Sequence, residues 1–332
     1  MEQEQPQAGD NISPDAEAQP APPSQETPAE TAARLRDALV DSLKARGLIH
    51  SEALEQALRR VPRECFVPEI AQRDGLERVY SDEALITKRG PQGQPISSSS
   101  APSMMAIMLE QLDLHPGLRV LEIGAGTGYN AALLAEMVGD QRAIVTIDIE
   151  PDVVEGARQH LADAGYPDIT VLCADGAEGA VDHAPFDRLE LTVASDDITP
   201  AWIQQLQVGG RLVLPLELHR HQRGQISLAL VKHEDYLESV AASSAFFIPL
   251  RGGQAMNAER SAPLSVVSTY DQDHRWELNL YGAPLTNSPE IRRDVLHLLS
   301  GSHESRDLHL GGPARALLSY LELRYGEADI VY

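Results

Sequence analysis

Hydrophobic positions in the first part of the chain recur at helical spacing. Leu35, Leu39 and Leu43 form one such series up to Gly47, where a left-handed residue is expected to end the helix. Ser51 is suited to cap a second helix that follows directly. This pattern predicts a helical N-terminal segment ahead of the main fold.

Farther along, strand-like and helix-like apolar segments alternate. An amphipathic helix beginning at Pro102 follows a predicted loop over residues 90–101. The alternating elements are strands at 119–123, 143–147, 169–172 and about 189–193, and helices up to 138, at 151–164 and near 202–206. Such alternation predicts an α/β fold with a parallel sheet covered on both faces. The segments "QISLALVKH" and "SAFFIPL" follow without a crossover helix, and they predict antiparallel strands at one edge.

Both ends of the chain differ from this central region. Residues 1–30 are rich in Pro, Glu, Gln and Ala, and they predict a disordered tail because they can bury little apolar surface. The main domain is expected over 31–254. Beyond it, two strand-like stretches precede helical patterns at 288–300 and 312–325, which predict a C-terminal module over 255–332.

The charge balance narrows the classes of partner. The 332 residues carry a formal net charge of −23, and the first thirty contribute seven acids without a Lys or Arg. A negative field repels phosphate groups, which disfavours nucleic acids and anionic membranes and favours a polypeptide or a small cation. The N-terminus lacks the basic and apolar stretches of a signal peptide, so we expect a cytoplasmic location. Cys65 and Cys173 stand alone among apolar residues and are expected to be core thiols.

The stretch "RVLEIGAGTGYN" places Gly124, Gly126 and Gly128 between a predicted strand and helix. Glycines at such a turn allow the backbone to approach a ligand at the carboxyl edge of the sheet. A dinucleotide-binding fingerprint would have its third glycine where this chain has Tyr129. The pattern therefore disfavours a dinucleotide-dependent oxidoreductase.

Acidic residues follow the predicted strands. Glu122 precedes the first glycine, Asp148 ends the second strand, and Asp175 with Gly176 follows the third. Glycines bracketed by acids suit a cationic ligand that carries a ribose, and S-adenosylmethionine fits that description. Asp148 is expected to bind the ribose hydroxyls and Asp175 to approach the adenine. A buried structural acid is the alternative for Glu122.

Five motifs in a fixed order give the sequence a specific resemblance. They are "LRRVPRECFVPE", "VLEIGAGTGYNAALLAEMVG", "ADGAEG…APFD", "GGRLVLPL" and "FFIPLRG". Between residues 35 and 253 the chain resembles the protein-L-isoaspartate O-methyltransferase family. The resemblance implies a Rossmann-like, seven-stranded class I methyltransferase sheet and S-adenosylmethionine as cofactor. It also implies a peptide or protein substrate in which an aspartyl or isoaspartyl carboxyl becomes a methyl ester, with a succinimide (aspartimide) forming afterwards.

The segment "QPISSSSAPSMM" matches the part of the family whose serine holds the substrate carboxylate. Counting back from Pro102 assigns this role to Ser100, whereas counting forward from "QPI" assigns it to Ser97. The remaining Ser98 and Ser99 are either a bulged loop or additional donors for the substrate. None is expected to act as a nucleophile, because the chain has no GxSxG motif.

Two branches of that family remain open from the sequence. The long serine run, the acids Asp196 and Asp197, and the C-terminal module favour enzymes that modify an aspartate in a ribosomally made peptide. General isoaspartate repair is the alternative. In the module, Trp276, Asn279 and Tyr281 are expected to contact the peptide, unless their strand merely packs on the main domain.

A protein that uses this fold only to bind peptides is the rival from another class. The intact glycines and Asp148 argue against it. His219 and His221 lack acidic or cysteine neighbours at metal-ligand spacing, so we expect no metal site. The oligomeric state is not set by any of these patterns.

Overall fold

The protein is described by a computed structural model that covers residues 26–219 and 224–252, together with two strands at 265–270 and 276–281. The helices are α1 Pro28–Ala45, α2 Glu52–Arg60, α3 Pro68–Asp74, α4 Leu76–Val79, α5 Pro102–Leu112, α6 Tyr129–Val138, α7 Pro151–Asp163 and α8 Pro200–Gln205. The strands are β1 Leu85–Arg89, β2 Pro95–Ser99, β3 Val120–Ile123, β4 Ile144–Asp148, β5 Thr170–Cys173, β6 Phe186–Leu191, β7 Leu206–His219, β8 Gly224–Lys232, β9 Leu237–Ala245, β10 Ser265–Tyr270 and β11 Trp276–Tyr281.

The first two helices begin at side-chain caps. Thr27 and Glu30 form a reciprocal capping box at the start of α1, and Ser51 accepts a hydrogen bond from the Leu54 amide at the start of α2, as the sequence predicts. Helix α1 begins at Pro28, three residues before the expected start of the domain. Residues 1–25 of the tail predicted over 1–30 lie outside the described residues, and residues 28–30 belong to α1.

Seven strands form the central sheet in the order β5-β4-β3-β6-β7-β8-β9. The first five strands of that order are parallel, and β8 and β9 add an antiparallel edge. Every residue of β3 is buried, because helices cover both faces of a parallel sheet. The predicted α/β class with a seven-stranded methyltransferase-type sheet is therefore confirmed.

Two apolar layers hold the helices on the sheet. One layer packs residues of α1, α2, α5, α6 and α7 against one face. The other contains Phe186 and Trp202, both fully buried. The Trp202 indole also donates to the Gly176 carbonyl at 2.8 Å, so this core fixes a loop at the carboxyl edge of the sheet.

Two local predictions are wrong. The segment "SAFFIPL" is not an edge strand: β9 ends at Ala245, and the chain then leaves the sheet to bridge Ala194 through Ile248 and Leu250. Pro249 in this segment has no amide hydrogen for a strand ladder. Cys173 is exposed at the end of β5 and not a core thiol, while Cys65 is partly buried; both are free cysteines.

The two strand-like stretches of the predicted C-terminal module are strands. Strands β10 and β11 pair antiparallel from Ser265 opposite Tyr281 to Tyr270 opposite Trp276. The two helices predicted beyond them lie outside the described residues, and the module as a unit stays a prediction. Within the described part of the chain, every helix is too short or too polar to span a bilayer.

Candidate active site

An open cleft lies at the carboxyl edge of the sheet, where ligands of parallel α/β sheets bind. Its lining comes from β2 and α5, from strands β3, β4 and β6 with the loops after β3 and β6, from the start of α6, and from the segment after β9. The polar residues of the lining are Ser97, Ser98, Ser99, Ser100, Glu122, Thr127, Tyr129, Asn130, Asp148, Glu190 and Thr192. A smaller cleft next to it shares Gly124 and Asp148 and also contains Gly176 and Arg251.

The glycine loop is tightly packed against its protein neighbours. Gly124 has a φ of +109°, and a Cβ there would lie 2.5 Å from Thr192 Oγ1, which donates to the Gly124 carbonyl at 2.7 Å. A Cβ on Gly128 would lie 3.0 Å from Leu161 on α7, and one on Gly126 would lie 3.2 Å from the Ser98 carbonyl. The three glycines thus allow the loop to approach other protein segments, and Gly124 and Gly126 also line the cleft.

Asp148 joins the glycine loop to the end of β4. Its Oδ2 accepts a hydrogen bond from the Gly126 amide and its Oδ1 from the Glu150 amide, each at 3.1 Å. Each carboxylate oxygen has a further acceptor position. The side chain is therefore held in place and can still accept bonds from two hydroxyl groups of a ligand.

Beneath the glycine loop lies a polar cluster of Glu122, Asn130, Thr146 and Glu190, which we call the acid floor. Asn130 Nδ2 donates to both Glu122 Oε1 and Glu190 Oε2 at 2.8 Å, and Thr146 Oγ1 donates to Glu122 Oε2 at 2.6 Å. Glu122 is 0% exposed and Glu190 is 1% exposed. Burial raises the pKa of Glu122 to about 7 and that of Glu190 to about 8. Glu122 is thus a buried, hydrogen-bonded acid that also lines the cleft.

Sequence reasoning did not select Glu190 or Asn130. A usable signal exists for Glu190, because "DRLELTV" places a charged residue in the middle of a strand that must be buried on both faces. Asn130 has no comparable signal. Its role depends on where the first turn of α6 meets β3 and β6.

The serine run forms another part of the cleft lining, which we call the serine wall. Residues 95–99 are strand β2, paired antiparallel with β1, so the predicted loop over 90–101 is wrong at this point. Its register shifts fall beside Thr87 and Ile96, whereas Ser97, Ser98 and Ser99 are paired with β1 and Ser100 follows the strand. Ser97 and Ser99 are buried, and all four serines line the cleft.

Arg63 connects the serine wall to the rest of the domain. Its guanidinium is fully buried, lies 5.7 Å from the centre of the Tyr129 ring, and donates to the Ser100 carbonyl at 2.9 Å and to the Glu83 carbonyl at 3.4 Å. The pKa of Arg63 is lowered because burial removes water from the charged group. The residue lies in the "RRVPRECFVPE" motif, but no spacing in the sequence indicates its contact with the serines.

Ion pairs hold the outer edge of the site. Glu150, two residues past Asp148, pairs with Lys88 of β1 at 2.7 Å and with Arg251. Both cations lower the pKa of Glu150 through hydrogen bonds. Arg251 Nη2 also donates to the Ile96 carbonyl at 3.3 Å. These contacts connect the β1–β2 hairpin, the end of β4 and the segment after β9.

The remaining predicted site residues lie away from this centre. Asp175 Oδ1 accepts from the Ala177 amide at 3.0 Å, and Gly252 passes so close that a Cβ there would lie 2.4 Å from the same oxygen. Asp197 accepts from the neighbouring Ile198 amide at 2.9 Å. Trp276, Asn279 and Tyr281 lie on β11, and their expected contact with a peptide stays a prediction.

Metal ligands are not brought together in the described ranges. Those residues contain no group of three His, Cys, Asp or Glu side chains that could hold a metal ion. The sequence predicts no metal site at the histidines of "HRH". Residues 220 and 221 of that segment lie outside the described residues, so this stays a prediction.

The chemistry of the main cleft fits a cationic ligand with hydroxyl groups. Three acids, Glu122, Asp148 and Glu190, line it, and no Lys, Arg or His occurs among the described lining residues. Asp148 offers acceptors to hydroxyls, and the serine hydroxyls of the same cleft offer donors to an anion. One side of the cleft is therefore suited to a positively charged group and the other to a carboxylate.

Sequence comparisons identify one family. The family model for Protein-L-isoaspartate(D-aspartate) O-methyltransferase matches residues 34–255. A protein-L-isoaspartate O-methyltransferase of Methanothermobacter thermautotrophicus is 39% identical over 217 residues, which are 65% of this chain and 95% of that protein. One from Methanopyrus kandleri is 35% identical over 229 residues, which are 69% of this chain and 96% of the relative.

Solved structures agree with the sequence comparisons. A protein-L-isoaspartate O-methyltransferase structure superposes with a TM-score of 0.59 at 32% identity and covers 65% of this chain and 66% of the other. A Plasmodium falciparum protein in complex with S-adenosyl-L-homocysteine has a TM-score of 0.55 at 18% identity, with coverage of 65% and 98%. The second similarity concerns the fold alone.

Proposed function

The chain belongs to the protein-L-isoaspartate O-methyltransferase family, and on that premise we propose that it methylates the free α-carboxyl groups of isoaspartyl residues in proteins. As a family member it is an S-adenosylmethionine-dependent protein carboxyl methyltransferase. The observation that carries the proposal is the pairing of an acid-lined, cation-suited side of the cleft with a wall of four serines.

S-adenosylmethionine, when bound, supplies a methyl group on a positively charged sulfur that is already a good leaving group. Asp148 and the glycine loop are suited to hold its ribose, since both Asp148 oxygens are fixed and retain acceptor positions. Gly176, which lines the adjoining cleft, and its sequence neighbour Asp175 stay the proposed neighbours of the adenine.

The serine wall would orient the acceptor. Ser97 or Ser100 would donate a hydrogen bond to the substrate carboxylate and hold it in line with the methyl group. No general base is required, because the carboxylate is already ionised at neutral pH. Exclusion of water favours the transfer further, since opposite charges cancel as the new bond forms. The product ester can then be attacked by the next backbone nitrogen, which expels methanol and closes a succinimide without enzyme.

Repair of isoaspartate is better supported than the tailoring of a ribosomally made peptide. Relatives named as protein-L-isoaspartate O-methyltransferases match along 95% and 96% of their own length. The tailoring branch favoured by the sequence rests on the serine run, on Asp196 and Asp197, and on residues beyond 255, where the family match ends. A substrate-recognition role for that C-terminal region, and the cytoplasmic location, stay predictions.

Matched peptides test the proposal. Full-length protein is incubated with S-adenosylmethionine and one of two short peptides that differ only in carrying isoaspartate or aspartate, and methyl-ester formation is followed by mass spectrometry. We expect the ester on the isoaspartyl peptide alone. Methylation of the aspartyl peptide only would favour tailoring, and methylation of neither would contradict the proposed function.

A further inference from the structure

The acid floor contains two carboxyl groups that the mechanism above does not use. Glu122 on β3 and Glu190 on β6 are directly opposite each other in the parallel register. Both accept from the same nitrogen, Asn130 Nδ2, at 2.8 Å. The two acids therefore form a close pair inside the sheet, at the edge of the cleft.

Among the described residues, the cleft lining provides no cation that would compensate the charge of the pair. Asn130 and Thr146 donate neutral hydrogen bonds to it, and the other ionisable groups of the cleft lining are Asp148 and Tyr129. Asp148 acts on Glu122 as a third negative charge, and Arg63 lies beyond the Tyr129 ring. Two buried carboxylates that accept from the same nitrogen repel each other, so ionising both costs free energy. The pair therefore retains a proton when the cleft holds no ligand.

An unsatisfied acceptor next to the pair points to a ligand. Asn130 lines the cleft and is 8% exposed, and its Oδ1 has no hydrogen-bond partner in the structure. A buried acceptor without a donor costs free energy unless something entering the site satisfies it. The amide oxygen and the two carboxyl groups together favour a ligand that carries positive charge or N–H donors.

We propose that Glu122 and Glu190 share a proton in the ligand-free enzyme, release it to solvent when the cationic methyl donor binds, and regain it when the product has lost its sulfonium charge. This inference rests on the proposed function. A positive charge in the cleft stabilises the doubly ionised pair, and its loss restores repulsion between the two carboxylates. The pair would thus bind S-adenosylmethionine more tightly than S-adenosylhomocysteine and would favour the replacement of the product by a new donor molecule.

Thermodynamic linkage between ligand binding and proton release gives the direction in which the affinity for the donor changes with pH. Binding that releases a proton strengthens as pH rises toward the pKa values of the free pair, about 7 and about 8. The donor-to-product affinity ratio should rise across that range by at most about tenfold per pH unit for each proton released. It should level off above the higher value.

Calorimetry in two buffers of different ionisation enthalpy counts the protons released on binding. At pH 7.5, full-length protein is titrated with S-adenosylmethionine and, separately, with S-adenosylhomocysteine. We expect release of about half a proton or more with the donor and clearly less with the product. Glu190→Gln keeps the side-chain shape and the Asn130 hydrogen bond, and it should reduce the release by more than half. Exposed Glu69→Gln is the matched control and should behave as wild type.

The outcomes separate this inference from the proposed function. Tight donor binding without proton release, equal release with donor and product, or unchanged release in Glu190→Gln would each overturn the inference and leave the methyltransferase proposal intact. Failure to bind the donor at all would overturn both. Infrared difference spectra give a second readout on the unmutated protein: donor binding should remove a protonated carboxyl C=O band, and its persistence would count against the shared proton.

Discussion

The acid floor and the serine wall face the same cleft but are built in different ways. The floor projects from β3, β4, β6 and α6, and it is fixed by the register of the central sheet. The wall belongs to a separate two-stranded hairpin, held by Arg63 and by the ion pairs of Glu150. This difference suggests that donor binding and acceptor alignment can be disturbed separately.

Removal of one serine hydroxyl should have the largest effect. Ser97→Ala and Ser100→Ala are made separately, and the variant that loses the carboxylate donor should lose roughly 10- to 1000-fold in turnover, the scale of one transition-state hydrogen bond. Its affinity for S-adenosylhomocysteine should not change, because the floor is intact. Steady-state kinetics and calorimetry measure the two quantities. Unchanged turnover in both variants would reduce the serines to structural residues.

Asp148→Ala tests the cofactor-binding part of the cleft, next to the acid floor. Loss of a charged acceptor for ligand hydroxyls should weaken binding of S-adenosylmethionine and S-adenosylhomocysteine alike, by about 10- to 100-fold. Asp152→Ala is the control, because Asp152 is exposed and pairs with Lys88 outside the cleft. If Asp148→Ala binds both compounds as tightly as the control does, the assignment of Asp148 to the cofactor is wrong.

The buried acids also predict a pH dependence of stability. Their pKa values are raised in the folded chain from 4.5 to about 7 and about 8, so the folded state binds more protons than the unfolded state within that window. Their stabilising contribution is complete below about pH 4.5 and is lost as pH rises to about 8. Glu190→Gln should raise the free energy of unfolding at pH 8.5 by on the order of 2 kcal/mol. Denaturant titration of both proteins at pH 5 and 8.5 should show the difference only at the higher pH.

Arg63→Lys should weaken the wall without changing the floor. Lysine keeps the charge but lacks the planar fork whose Nη1 reaches the Ser81 carbonyl while its Nη2 reaches those of Glu83 and Ser100. Turnover should fall about tenfold while cofactor affinity stays constant, since alignment of the acceptor is lost. Arg89→Lys, at an exposed position of the same hairpin, should have no effect. A parallel loss of cofactor affinity in Arg63→Lys would show that the two regions are not independent.

The smallest expected effect concerns β11, which belongs to neither region. Trp276→Ala should raise the KM for a folded, isoaspartate-containing protein about fivefold, because aromatic residues often anchor polypeptide partners. A short isoaspartyl peptide should be methylated as before. Equal KM values for wild type and variant on the protein substrate would leave the strand without a role in recognition.

Sequence reasoning identified the residues of the serine wall more completely than those of the acid floor. The alternation of strands and helices locates Glu122 and Asp148 at strand ends, since the carboxyl ends of parallel strands share one edge. The partners of Glu122 come from residues 8 and 68 positions away, Asn130 and Glu190, and only the register of β3 with β6 brings them together. The serine run was found, but its strand pairing was missed, because bulges disrupt the alternation that indicates a strand.

The central claim is that this enzyme acts on isoaspartate, and repair of a defined peptide measures it most directly. An isoaspartyl peptide is incubated with full-length protein and S-adenosylmethionine through repeated rounds of methylation and succinimide opening, and both isomers are quantified by chromatography. The account predicts a steady loss of the isoaspartyl form and a matching gain of the aspartyl form that require both the protein and the methyl donor. An isoaspartyl fraction that stays constant while S-adenosylmethionine binds would contradict it.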